Sequence, residues 1–234
     1  MLKKRLIPKL LLRFKGEGKT PILVNSYKYL HYKTIGSPIH QAKIYEAQSA
    51  DELVMLNMDS LSLQDNAFVL EYLKKFSENI FMPLTFGGGV KSLNCFQLLL
   101  NSGADKVSIN TNAILNPNLI TEAAKNFGSQ CVVISIDFRK VDKNYEVFKN
   151  KGKERTGLEL INWAKKVEDL GAGEIMLTDV DCDGTGLGLN IEVAKVISNL
   201  VKIPVIISGG CGLAEHCIDC FKKTKIEGVA AGNF

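Results

Sequence analysis

The sequence predicts an α/β protein, a closed (β/α)8 TIM barrel built from two similar half-barrels. Three observations carry this. Strand-length apolar runs alternate with helical stretches along the whole chain, eight strand candidates in all. The 234 residues suit a single barrel domain, read as 1–234. Glycine-rich turns (Gly87-Gly88-Gly89, Asp183-Gly184-Thr185-Gly186, Ser208-Gly209-Gly210) directly follow apolar runs. Glycine there lets backbone N–H groups approach a ligand, and several such turns on one rim make a phosphate cradle.

In order, Arg5–Leu12 is an apolar run without polar alternation, as in a strand buried on both faces. Residues 13–37 read as a long functional or disordered connection carrying Lys15, Lys19, Lys28 and Lys33. A helix over 38–48 and a strand over Glu52–Met58 follow. Then come a helix near 65–79, a strand at 81–86, a helix at 91–102 and a strand at 106–110. Asn116-Pro117 opens a helix at 117–127, since proline fits a first helical position. Cys131–Asp137 is a strand, and 138–156, with Tyr145-Glu146-Val147-Phe148 alternating, a small hairpin. The remaining elements are a helix at 157–170, a strand at 174–179, a helix at 189–200, a strand at 203–208, a helix at 213–223 and a strand from Gly228. The helix that would follow that last strand is absent from the given sequence.

An internal echo divides the chain. Ala50–Leu56 resembles Ala172–Leu177, and Met82-Pro83-Leu84 with Gly88-Gly89 resembles Ile203-Pro204-Val205 with Gly209-Gly210. Two such halves place two phosphate-cradling ends opposite each other, suiting a substrate with a phosphate at each end.

A formal charge of +4 is too mild for a nucleic-acid partner and suits a small anion. No run is long enough to span a membrane, and Met1–Arg5 is not followed by a signal-peptide core. Six scattered cysteines fit reduced thiols in a cytoplasmic protein. Cys217-Ile218-Asp219-Cys220, beside His216 and near Cys211, reads as ordinary helix composition, one cysteine inward and the others scattered; no metal is expected.

The joint motifs Gly87–Val90, Gly103–Asn110, Phe127–Gln130, Gly171–Ile175, Asp183–Thr185 and Ser208–Gly212 resemble the cyclase (HisF) subunit family of imidazole glycerol phosphate synthase. The resemblance runs from Met1 to the end. It implies a barrel, without a cofactor, that takes ammonia from a glutaminase (HisH-like) partner at the strand N-terminal face. The ammonia is then used on a bisphosphorylated substrate at the opposite face. It also implies a substrate rim of Gly88, Gly89, Asn110, Thr111, Asp183, Gly184, Thr185, Gly209, Gly210 and Gly232. A ring of Arg5, Glu52, Lys106 and Glu174 would gate the ammonia entrance. Of the family's two acid–base aspartates, Asp137 matches the second, whereas Leu11 stands at the first; the family's aspartate on the next strand is Asn57 here.

Leu10-Leu11-Leu12 resembles a HisF-like branch associated with surface-polysaccharide and nonulosonic-acid biosynthesis. That branch implies ammonia delivery to an ATP-dependent amidotransferase that makes an acetamidino sugar. This is the leading expectation. The alternative is a genuine cyclase of histidine biosynthesis, and a third reading is a scaffold that only activates its glutaminase. Blander roles stand beside the sharp ones: Asp137 as a polar strand end, Asp183 as a helix cap, the charged ring as a stabilising plug, and the lysines of 13–37 as a solvated loop.

Overall fold

The structure, a computed structural model, describes residues 3–15, 20–59 and 67–232. Strand β1 (Arg5–Lys15) pairs in parallel with β4 (Leu53–Asn57), which starts a run through β5 (Leu84–Gly87), β6 (Lys106–Ile109) and β7 (Val132–Val141). On its other edge β1 pairs with β12 (Gly228–Ala231), followed by β11 (Val205–Ser208) and β10 (Glu174–Asp179). Pairing of β10 with β7, from Glu174↔Val133 to Asp179↔Phe138, closes the barrel. Every backbone edge among these eight parallel strands is thereby satisfied.

Period-two alternation decides what lies inside. Along β1, Leu10 and Leu12 join the large core beneath the helices, with Ala42 and Tyr45 of α1 (Pro38–Ala47). Ile7 instead joins Val54, Val133, Met176, Ile206 and Ala230 in an apolar layer across the barrel interior. Higher up, Leu11 packs with Val24, Tyr29, Met58 and Val180.

The helices α2 (Ala67–Ser77), α3 (Leu93–Asn101), α5 (Asn118–Phe127), α6 (Leu160–Asp169), α7 (Ile191–Leu200) and α8 (Ala214–Lys223) cover the outside. A five-residue α4 (Thr111–Leu115), not anticipated, precedes α5. Ser92 caps α3 by accepting from the Cys95 N–H, and Asn190 caps α7 by accepting from the Val193 N–H. Asp183 therefore caps neither helix.

Residues 13–37 depart from the long-loop expectation. Strand β1 runs on to Lys15, and β2 (Thr20–Tyr27) returns antiparallel to it, Leu11 opposite Val24. Strand β3 (His31–Gly36) then pairs with β2. Lys15, Lys28 and Lys33 thus sit on a folded hairpin, not a solvated coil; Lys19 lies outside the described residues. The hairpin after Asp137 is also larger than expected. Strand β8 (Asn144–Lys149) pairs with the extension of β7, and a third strand, β9 (Glu154–Glu159), pairs with β8. Both hairpins grow from the first strand of a half-barrel, which extends the internal echo into three dimensions. Among the described residues no helix is long and apolar enough to cross a membrane.

Candidate functional site at the two barrel mouths

At the strand N-terminal mouth, four charges close a ring. Arg5 donates from Nη1 to Glu52 and from Nη2 to Glu174, each at 2.6 Å. Lys106 Nζ reaches the second oxygens of the same carboxylates at 3.2 and 2.9 Å. Each cation touches both anions, so signs alternate around the mouth. Burial weakens the Arg5 guanidinium's hold on its proton, yet the charges and hydrogen bonds of Glu174 and Glu52 more than offset this and raise its pKa. All four side chains converge on the mouth, none turned to solvent.

At the opposite mouth a cavity of about 570 Å³ opens over β4 to β7. It gathers Gly88, Gly89, Asn110, Thr111 and Asp137, together with Asn57, Ser108 and Ser135. Gly88 has φ +101°, and a Cβ there would lie 2.2 Å from the Asn57 carbonyl oxygen, so glycine is required. Lys91, Lys151 and Lys153 bring positive charge, opposed by Asp59, Asp137 and Glu154. Lys151 reaches across to donate to the Met58 carbonyl.

Asp137 ends the inward-facing series of β7 and is 4% exposed. Burial pushes its pKa up to about 7; Lys9 and Asn110 act against that rise and Asp183 adds to it. A carboxyl poised near neutrality suits proton exchange. Leu11, by contrast, is sealed in its apolar cluster and presents nothing that titrates.

The other predicted rim residues lie outside this cavity. The β2–β3 hairpin holds one of them, Asp183: the Lys28 N–H donates to its carbonyl at 3.0 Å and the Ser26 hydroxyl to its carboxylate at 2.5 Å. A Cβ on Gly184 would meet the Ser26 carbonyl oxygen at 2.1 Å, and one on Gly210 the Gly188 carbonyl oxygen at 2.0 Å. Thr185 donates its hydroxyl to the Cys182 carbonyl at 2.7 Å. Gly209 turns at φ +94° over the end of β10, and Gly232 faces the Lys9 carbonyl oxygen and the Asn25 side chain. The rim is therefore split: one half lines the cavity, and in the other the hairpin lies against Asp183, Gly184 and Gly232.

Three contributors escaped the sequence reading. Lys9, a lone cation inside an apolar run, projects into the barrel; its signal was the strict alternation Arg5, Ile7, Lys9, Leu11. Tyr29 reaches the same interior from a turn in which Lys28 and Tyr29 both have positive φ. Asn150–Lys153, between β8 and β9, supplies one cavity wall, and nothing in its composition marked it.

The cysteines also differ from expectation. Cys217 and Cys220 are both buried, and Cys211 Sγ sits 3.4 Å from Cys217 Sγ. Among the described residues no cluster of His, Cys, Asp and Glu could hold a metal ion.

A closed parallel barrel with a charge-compensated lower mouth, and a buried titratable carboxyl in a glycine-rimmed upper cavity, defines an α/β-barrel protein whose candidate site lies at its strand C-terminal face. Comparison with known proteins gives the family. Residues 16–234 match the family described as histidine biosynthesis protein. The chain is 44% identical over 244 residues to the imidazole glycerol phosphate synthase subunit HisF of Methanococcus vannielii, covering 95% of this chain and 87% of that one. It is 43% identical over 234 residues to the same-named protein of Hydrogenobaculum, covering 100% and 90%. With the HisF protein of Lactococcus lactis it shares 45% over 227 residues, covering 96% and 85%. The chain belongs to the HisF-like family of histidine biosynthesis proteins.

Proposed function

We propose that this barrel is the ammonia-using subunit of a glutamine-dependent amidotransferase of the imidazole glycerol phosphate synthase type. A HisH-like glutaminase docks on the strand N-terminal face, in a cytoplasmic complex, and releases ammonia against the Arg5–Glu52–Lys106–Glu174 ring. One observation carries the reading: the ring and Asp137 lie at opposite ends of one barrel interior. Neutral ammonia, which carries no charge to desolvate, crosses the apolar layer of Ile7, Val54 and Met176 once the ring opens. It then enters the cavity bounded by Ser108, Ser135 and Asp137. There a phosphorylated substrate is held by the Gly88–Gly89 turn with Asn110 and Thr111. Asp137 exchanges the protons that nitrogen attack and ring closure demand, a contribution of roughly 10²–10⁴-fold. The names of the relatives support the cyclase reaction of histidine biosynthesis as the outcome.

Leu11 favours a second reading. A leucine sealed against Val24, Tyr29, Met58 and Val180 cannot exchange a proton, so one of two expected acid–base groups is gone. In this reading the barrel conducts ammonia to an ATP-dependent sugar amidotransferase at the strand C-terminal mouth, for amidino modification of a surface glycan. Ammonia-dependent turnover of the bisphosphorylated substrate by the isolated barrel decides between them. Turnover establishes the cyclase. Stimulation of the glutaminase without turnover removes it and leaves the conduit or a purely activating scaffold, which amidino-sugar formation with the added amidotransferase then separates.

A further inference from the structure

Two sulfurs meet at the entrance to α8. Cys211 follows the Gly209-Gly210 turn, belongs to no helix or strand, and is half-buried. Cys217 sits one turn into α8 and is buried, its Sγ 3.4 Å from that of Cys211. A disulfide spans about 2.0 Å, so the sulfurs need to approach by only about 1.4 Å. The helix holds Cys217 in place, which leaves Cys211, in irregular backbone, as the side that moves. Cys220 is engaged elsewhere: its Sγ faces the Thr224 hydroxyl at 3.8 Å.

The two thiols are not alike. The hydrogen bond from Cys217 lowers the Cys211 pKa against the effect of burial, whereas the same bond and burial raise that of Cys217. Cys211 is also the more accessible of the pair and stands just ahead of the α8 N-terminus, where a thiolate is favoured.

We propose that Cys211 and Cys217 form a peroxide-oxidisable dithiol, a modification site that closes to an intramolecular disulfide. The Cys211 thiolate attacks one oxygen of hydrogen peroxide and the O–O bond breaks. The departing hydroxide takes up a proton as water, and Cys211 is left as the sulfenic acid. Cys217 then gives up its proton, its sulfur bonds to that of Cys211, and the hydroxyl leaves as a second water. The two thiols lose two electrons and the peroxide gains them. A small thiol reverses the reaction by exchange. The new bond ties the turn after β11 to α8, and the Gly188 N–H, which donates to the Gly210 carbonyl at 2.8 Å, links the segment after β10 to the same turn.

The full chain is treated with hydrogen peroxide, its remaining thiols are alkylated, and it is cleaved after Glu215 and Asp219. Those cuts place Cys211, Cys217 and Cys220 on three separate fragments. The Cys211 and Cys217 fragments are expected to appear joined, two hydrogens lighter than their sum, and to separate in dithiothreitol. Cys217→Ala should stop at the Cys211 sulfenic acid, trapped by dimedone, and Cys211→Ser should leave Cys217 reduced. A Cys217–Cys220 bond, a link between two chains, sulfinic acid at Cys211 of the parent chain, or no oxidation at all overturns the proposal. Should Cys217→Ala fail to fold, the fragment map of the parent chain decides it.

Discussion

Replacing Glu174 by glutamine tests whether the lower ring behaves as one unit. The Glu174 side chain is 5% exposed and accepts from Arg5 at 2.6 Å and Lys106 at 2.9 Å. Glutamine keeps the shape and one acceptor but removes the charge, leaving two cations to share Glu52. Breaking a buried ion pair typically costs about 3–5 kcal/mol. The Arg5 and Lys106 side chains retain 15% and 22% exposure, so water offsets part of this and about 3 kcal/mol is expected. For a chain of this size that lowers Tm by roughly 6–12 °C, measurable by calorimetry alongside urea unfolding. Arg5→Met alone should cost a similar amount, leaving two carboxylates on Lys106. The double variant, however, keeps a neutral Lys106–Glu52 pair, so its cost should fall at least ~1 kcal/mol short of the sum. Strict additivity, or a single-variant loss below ~1 kcal/mol, would refute the idea that the four charges compensate one another.

Other outcomes follow from the upper mouth. With Asp137 at about 7 when folded and near the ordinary carboxylate value when unfolded, the folded state binds the extra proton between those limits. Its stabilising contribution is complete at low pH and lost as pH rises through 7, so unfolding free energy should fall by a few kcal/mol from about pH 4 to 8. In Asp137→Asn that component of the slope should vanish; an unchanged pH profile would contradict the raised value. Gly88→Ala puts a Cβ 2.2 Å from the Asn57 carbonyl at φ +101°. It should cost roughly 2–4 kcal/mol and abolish phosphate binding to the cavity by calorimetric titration. Leu11→Asp buries a carboxyl in an apolar cluster and should destabilise by roughly 1–3 kcal/mol. If that position alone limits the cyclase, ammonia-dependent turnover should rise ~10²-fold or more; no gain would mean other determinants are missing.

The barrel was legible because its signals are cheap to read. Runs such as Glu174–Asp179, buried at all six positions, can only be strands covered on both sides, and the glycines after them mark the mouth. The β2–β3 hairpin was not legible because its apolar run, Ile22-Leu23-Val24, is three consecutive residues without the period-two alternation that marks a strand. Its turn uses Lys28 and Tyr29 at positive φ, where a sequence reader expects glycine or asparagine. Strand β9 was unreadable for another reason: Glu154–Glu159 contains one apolar side chain larger than a methyl, and its pairing comes wholly from β8. The ring was accessible only through resemblance, since nothing local says that residues 5, 52, 106 and 174 meet. The contact of Asp183 and Gly184 with the β2–β3 hairpin was not accessible at all, because it depends on where a distant hairpin lands.

The alternating square at the lower mouth has an electrical consequence of its own. Two positive and two negative corners, diagonally matched, cancel both their monopole and, nearly, their dipole. The leading remainder is a quadrupole, whose potential decays far faster with distance than that of a lone charge. An ion diffusing past this face therefore feels almost nothing from the four groups until it touches them. Such a mouth does not gather ammonium or chloride from bulk water; its four groups act on an ion only at contact.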